Sequence, residues 1–324
     1  MTIFNIKKLC SCILLMCLVL LTGKAVLAQG LKSDADSSET TPAHVYVELQ
    51  RVEQLIDGLG LFMGVPEPEL LGVSITNAAP HDVYFQARTL VIKANRLSFE
   101  LIRKDSDPPV LPEGVVRPAE VKQMVLEALG VLSEVSRKFQ MLGVHPQVEL
   151  KEVTPSDVFM ASMTANRHLN ALLERRFSPA EVYRVVNLAI GYTSRLLAQY
   201  PGAPRIPKKP LYEKNKRPLD VYYRLNDCLL LIIQIYQASD VDILQMNVSG
   251  INEKNISPSD VFDMASLIVA RLDFLHKSNG SRVPRETYFP GKKFPSDVYQ
   301  QAGILEQQLT TLLSYVENKE QANR

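Results

Sequence analysis

The chain returns eight times to one short pattern: a proline, an acid two residues on, then a valine, then in most copies an aromatic residue. The copies begin at Pro42, Pro80, Pro118, Pro155, Pro179, Pro218, Pro258 and Pro295, with spacings of 38, 38, 37, 24, 39, 40 and 37. A near-constant period is the mark of an array built by duplication. Each copy reads as a helix start. Proline is tolerated at the first helical position, where its missing N–H has no partner to lose. Thr41, Thr154, Ser178 and Ser257 precede it in four copies and are good N-caps. The acid falls at the third helical position, where it accepts free backbone N–H groups and faces the positive helix end. His44 is the one non-acid there.

The residues after each start support a helix. Counted from the proline, position 3 is always valine, and positions 7, 10, 14 and 17 are mainly apolar. They are Leu49, Val52, Ile56 and Leu59 in the first copy, and Leu225, Cys228, Ile232 and Ile235 in the sixth. Ser162 and Thr193 are exceptions. Alternating steps of four and three make the heptad seam of helices packed side by side. Helices of roughly 20–24 residues are expected, about 30–36 Å long. The recurrent aromatic at position 4 reads as packing at the mouth of each helix.

The connections are long. Stretches such as 65–79, 105–117, 201–217 and 240–257 far exceed the 2–8 residues usual between helices. Some carry alternating apolar residues, as in Leu71–Ile75 and Val148–Val153. A dozen extended residues span roughly 40 Å, a whole helix length. Successive helices can therefore run parallel, each linker returning along the bundle. Between the fourth and fifth copies almost no linker remains: Ser178 alone separates Phe177 from Pro179, which implies a kink or a tight reversal.

The fold class expected is all-α: eight long helices in a repeat array, arranged as two tandem four-helix bundle-like units with long extended linkers. The units are 42–177 and 178–318, and 319–324 reads as a disordered tail. One continuous eight-helix solenoid is the rival.

The N-terminus carries an address. Lys7 and Lys8 precede an apolar run from Leu9 to Leu21, and Val26-Leu27-Ala28 offers small residues at the cleavage positions. That is a secretory signal peptide over 1–28, followed by a flexible segment at 29–41. The run is too short for a bilayer span, which needs about 20 residues. An exported protein, periplasmic or secreted, from a bacterium is expected. Cleavage removes Cys10, Cys12 and Cys17, so Cys228 stands alone and no internal disulfide forms. Stability must then come from buried apolar surface.

Composition narrows the function. The chain is 46% hydrophobic and 22% charged, which is globular. Its formal charge of +1 excludes a strongly basic nucleic-acid binder. The histidines, His44, His81, His145, His168 and His276, share no i, i+4 spacing, and no zinc or haem-attachment motif follows the leader. His168 is the best placed for a noncovalent haem in a bundle. Cys228 sits on a seam and reads as a buried hydrophobe, not a nucleophile. No phosphate-cradling glycine loop occurs. The repeated acids are explained by capping, since a catalytic site breaks a repeat instead of copying itself.

One local charge anomaly stands out. The linker Arg205-Ile-Pro-Lys208-Lys209-Pro-Leu-Tyr-Glu213-Lys214-Asn-Lys216-Arg217 has six basic groups against one acid. A second connection holds Arg282, Arg285, Lys292 and Lys293. Either suits an anionic partner; as plain solvated loops, neither needs one. Both precede helix starts, so they are expected at one end of the array. The function expected is that of an exported, non-enzymatic helical repeat protein, a protein-binding or scaffolding module of the cell envelope. It needs no cofactor, no metal and no nucleic acid. The alternative is a sensor-like bundle holding an apolar ligand between helices.

Overall fold

A computed structural model describes residues 40–69, 72–109, 111, 114–141, 152–174, 177–239, 243–247, 256–278 and 291–323. The leader, the segment to Glu39 and the greater part of Val148–Val153 lie outside them. Among the described residues the fold is all-α, with eight helices. They are α1 (Pro42–Met63), α2 (Pro80–Ile102), α3 (Pro118–Lys138), α4 (Pro155–Leu172), α5 (Pro179–Leu197), α6 (Pro218–Ala238), α7 (Pro258–Ser278) and α8 (Pro295–Asn323). Each opens on a repeat proline. None is long and apolar enough to cross a membrane.

The start of every helix is closed in the same way. The side chain at the third position accepts the N–H of the residue before the proline. Asp82 takes it from Ala79 at 2.7 Å, Asp157 from Thr154 at 2.8 Å, Asp220 from Arg217 at 2.7 Å and Asp297 from Phe294 at 2.8 Å. Glu120, Glu181 and Asp260 do likewise. His44, the outlier in sequence, accepts the same bond from Thr41 through Nδ1 at 3.1 Å. The motif therefore specifies an acceptor at that position, which an imidazole can also supply.

Direction is fixed by where the starts meet. Pro42, Pro80, Pro118 and Pro155, with Val45, Val83, Val121 and Val158, line one small apolar void of about 20 Å³. Pro179, Pro218, Pro258 and Pro295 with Val182, Val221, Val261 and Val298 line a second of the same size. Four helix starts at one point mean four parallel helices, so α1–α4 form one all-parallel bundle and α5–α8 another. In each the pairs in contact form a ring: α1 and α2 both touch α3 and α4, and α5 and α6 both touch α7 and α8.

The seam fills both interiors. Positions 7, 10, 14 and 17 of every helix are buried, with Leu275 alone partly exposed. Ser162 and Thr193 fit there by donating their hydroxyls one turn back, to the carbonyls of Val158 and Ala189. Burying a leucine at such a site contributes about 1.5–3 kcal/mol, and no disulfide is needed.

Parallel helices oblige each linker to climb the bundle. Two such linkers meet. β1 (Ser74–Thr76) and β2 (Gln245–Asn247) pair antiparallel, with Ile75 opposite Met246. The bundles also meet through α2 and α7. His81, at the start of α2, touches Ala270 late in α7, and Lys93 further along α2 meets Asp263 early in α7. The two helices are antiparallel, so α4 is followed by a reversal, not a kink. One boundary needs correction. α8 runs on to Asn323, through most of the 319–324 stretch read as a tail. The stretch has no glycine or proline and is rich in helix formers.

Candidate interaction surface

The basic linker is an ordered strap laid along α8. Its prolines fix the backbone, and three hydrogen bonds tie it down. Gln308 Nε2 donates to the Arg205 carbonyl at 2.6 Å, and Gln300 Nε2 to the Pro210 carbonyl at 2.6 Å. The Lys216 N–H donates to Ser296 Oγ at 3.1 Å. The strap descends as α8 numbers fall, so it runs against the helix and ends at the start of α6.

A three-residue period sorts its exposure. Pro207 and Pro210 are half-buried, while the rows Arg205, Lys208, Leu211 and Ile206, Lys209, Tyr212 face solvent. Ile206 is 78% exposed and Leu211 91%. Lys214 is exposed as well. Two of the six basic side chains are committed to neighbours. Lys216 Nζ meets Glu213 at 2.7 Å and lies 4.1 Å from the centre of the Tyr299 ring. The hydrogen bond to the Glu213 carboxylate, above all, holds that ammonium above the usual lysine range. Arg217 leans toward the Asp220 that caps its helix, at 3.9 Å. Arg205, Lys208, Lys209 and Lys214 have no acid within ion-pair reach among the described residues.

The second basic connection ends beside the first. Lys293 Nζ lies 4.8 Å from the Tyr183 ring centre and Lys292 5.3 Å from that of Phe294. Both lead into α8, whose start converges with that of α6. Four parallel helix dipoles point their positive ends the same way here. His145, Arg282 and Arg285 lie outside the described residues.

Other singled-out residues find plain places. Cys228 is fully buried on its seam, and burial pushes its thiol far up. His168 faces two carboxylates, Asp57 and Glu67. No cluster of three metal-ligating side chains occurs among the described residues. The aromatics at position 4 pack where the chain enters: Phe262, for one, stacks on Phe177 with ring centres 4.0 Å apart.

Sequence reasoning missed a buried polar network between the bundles. Asp82 and Arg271, both fully buried, form an ion pair across the α2–α7 contact. Beside them His81 Nε2 lies 2.9 Å from the Ala270 carbonyl and 3.5 Å from Asp273 Oδ2. Asp273 also accepts from Tyr192 at 2.8 Å and pairs with Lys277 at 2.9 Å. Lys93, wholly buried, pairs with Asp263 at 2.8 Å and reaches the Asn166 carbonyl at 3.3 Å. Arg167 meets Asp260 at 2.7 Å. Burial lowers the His81 imidazole to about 4, raises the carboxyls of Asp82 and Asp263, and lowers the Lys93 ammonium; the opposite charges beside them act the other way. On α2 the polar residues Asp82, Gln86, Thr89 and Lys93 recur at steps of four, three and four. In one sequence such a stripe reads as a solvated face; only the second bundle buries it. The network binds the bundles together, and at its edge Arg167 and Asp260 line an open cleft of about 560 Å³.

No family model, no curated protein and no solved structure matches the chain.

Proposed function

We propose that the protein is an exported, non-enzymatic helical binding module of a bacterial cell envelope, and that it holds an acidic face of a protein partner through the 205–217 strap. The observation that supports this reading is the strap itself. It is fixed to α8 at three points, yet presents Arg205, Lys208, Lys209 and Lys214 outward with Ile206, Leu211 and Tyr212 between them. A pre-ordered segment loses little entropy on binding. Its charges steer an anionic partner, and its apolar side chains offer contact area once the partner arrives. The alternative, an apolar ligand between helices, has less to stand on: the voids at the helix starts measure only about 20 Å³ each, and the larger cavity between α1 and α4 carries the carboxylates of Asp57 and Glu67, which suit a charged ligand better than an apolar one.

The test uses the leaderless protein as bait in an envelope extract, beside the triple variant Lys208→Glu, Lys209→Glu, Lys214→Glu. Lys216 is spared because it packs on Tyr299. Wild type should retain a partner that is released near 1 M salt, where the screening length falls to about 3 Å. The triple variant should lose that partner while melting at the same temperature. Equal capture by both proteins would remove the strap from the function.

A further inference from the structure

The chain leaving α1 folds back over the end of its own helix. Gly64 closes α1 in the left-handed conformation, at φ 68°. Val65, Pro66, Glu67 and Pro68 then arch over Ile56 and Gly60 of α1 and over Ala171 and Leu172 of α4, enclosing about 260 Å³. The lining is apolar except for three side chains: Asp57 on α1, Glu67 in the arch and His168 on α4. This place is unrelated to the basic strap.

The three polar groups are poorly matched to one another. His168 is only 8% exposed. Its Nδ1 lies 3.5 Å from Asp57 Oδ1 and its Nε2 3.6 Å from Glu67 Oε1, yet neither nitrogen makes a hydrogen bond. An uncharged imidazole has one N–H and cannot serve carboxylates on both sides. The Asp57 and Glu67 side chains keep 58% and 77% of their surface open, so a ligand can reach them. Among the described residues no lysine or arginine lies within ion-pair distance of either. Glu53, one turn before Asp57, adds little to that negative field, because burial, then the Asp57 charge, pushes its carboxyl up to about 7.

Two open carboxylates over an apolar floor, with no lysine or arginine of the described residues paired to either, recognise an organic cation. The carboxylates stand at opposite nitrogens of one ring. A monoamine engages one of them; two ammonium groups on a short chain engage both, with the methylenes over Ile56, Val65 and Leu172. We propose that this cavity binds a short aliphatic diamine.

The probe is 1,4-diaminobutane, with n-butylamine as the single-charge control, titrated into the folded protein and followed by calorimetry and by the His168 ring resonances in NMR. The diamine should bind, shift those resonances, and bind more tightly than butylamine. Asp57→Asn and Glu67→Gln, both at open positions that leave folding intact, should each weaken it roughly tenfold, the worth of one charge-assisted bond. Ala171→Leu should block the cavity with both carboxylates in place. The proposal is overturned if no heat or shift accompanies the diamine, or if binding survives both carboxylate substitutions. It is also overturned if His168 already carries two ring protons and holds both carboxylates itself, unchanged by added amine.

Discussion

The Lys93 ammonium, wholly shielded from solvent, meets the Asp263 carboxylate at 2.8 Å across the contact between two antiparallel helices of different bundles. The pair joins residues 170 positions apart in the chain. Its energetics are set by an asymmetry: taking two charges out of water costs several kcal/mol each, and the attraction repays that only while both are present.

Replacing Lys93 by Met should therefore destabilise the protein by about 3–5 kcal/mol, because Asp263 is left buried without its counter-charge. The lower end is expected, since Asp263 also takes a long bond from Asn170 at 3.4 Å and its side chain is 15% exposed. The double variant Lys93→Met, Asp263→Leu should recover most of the loss. Urea unfolding of the two variants checks both statements. A double variant as unstable as the single would mean that the pair does more than balance its own charges.

His81 sets a pH dependence of known sign. Burial lowers its imidazole from 6.5 to about 4 in the folded protein, with Asp273 opposing. Between those values the unfolded chain binds a proton that the folded chain refuses, so stability falls as pH drops through the window. The loss attributable to this residue is roughly 3 kcal/mol by pH 4. His81→Gln keeps a donor for the Ala270 carbonyl but cannot titrate. Its melting temperature should fall less than that of wild type between pH 6.5 and pH 4; parallel curves would assign the acid sensitivity elsewhere.

His44 is the weak start among the eight. Its Nδ1 accepts the Thr41 N–H at 3.1 Å, a longer bond than the 2.7–2.9 Å seen at the acidic starts. It brings no fixed negative charge to the positive end of α1. His44→Asp should raise stability by about 0.5–1 kcal/mol, and Asp297→Ala at the start of α8 should lower it by about 1 kcal/mol. Thermal melts of both variants at neutral pH test the motif from opposite directions.

The helix starts, the seam and the long linkers were legible because they are local matters. A proline with an acceptor two residues on closes a helix wherever it occurs, and steps of four and three keep one stripe on one side. The basic strap was legible as composition. That its prolines face α8 while its lysines face water was not, since the sorting depends on Gln300 and Gln308 of a helix some 90 residues later in the chain. The His168 cavity was half legible. The histidine stood out beside its seam, but Asp57 and Glu67 come to it from another helix and from a returning linker.

By itself, the sequence determined eight helices, where each begins, and which stripe of each must be hidden, because these depend on hydrogen bonds and apolar periodicity within one segment. Tertiary structure alone decided that the four helices of each bundle run parallel, that the two bundles lie antiparallel, and that the polar stripe of α2 is buried against α7. A stripe of Asp82, Gln86, Thr89 and Lys93 satisfies water or a partner equally well. Which it meets is fixed only when Arg271 and Asp263 arrive from the other bundle and their charges replace the solvent.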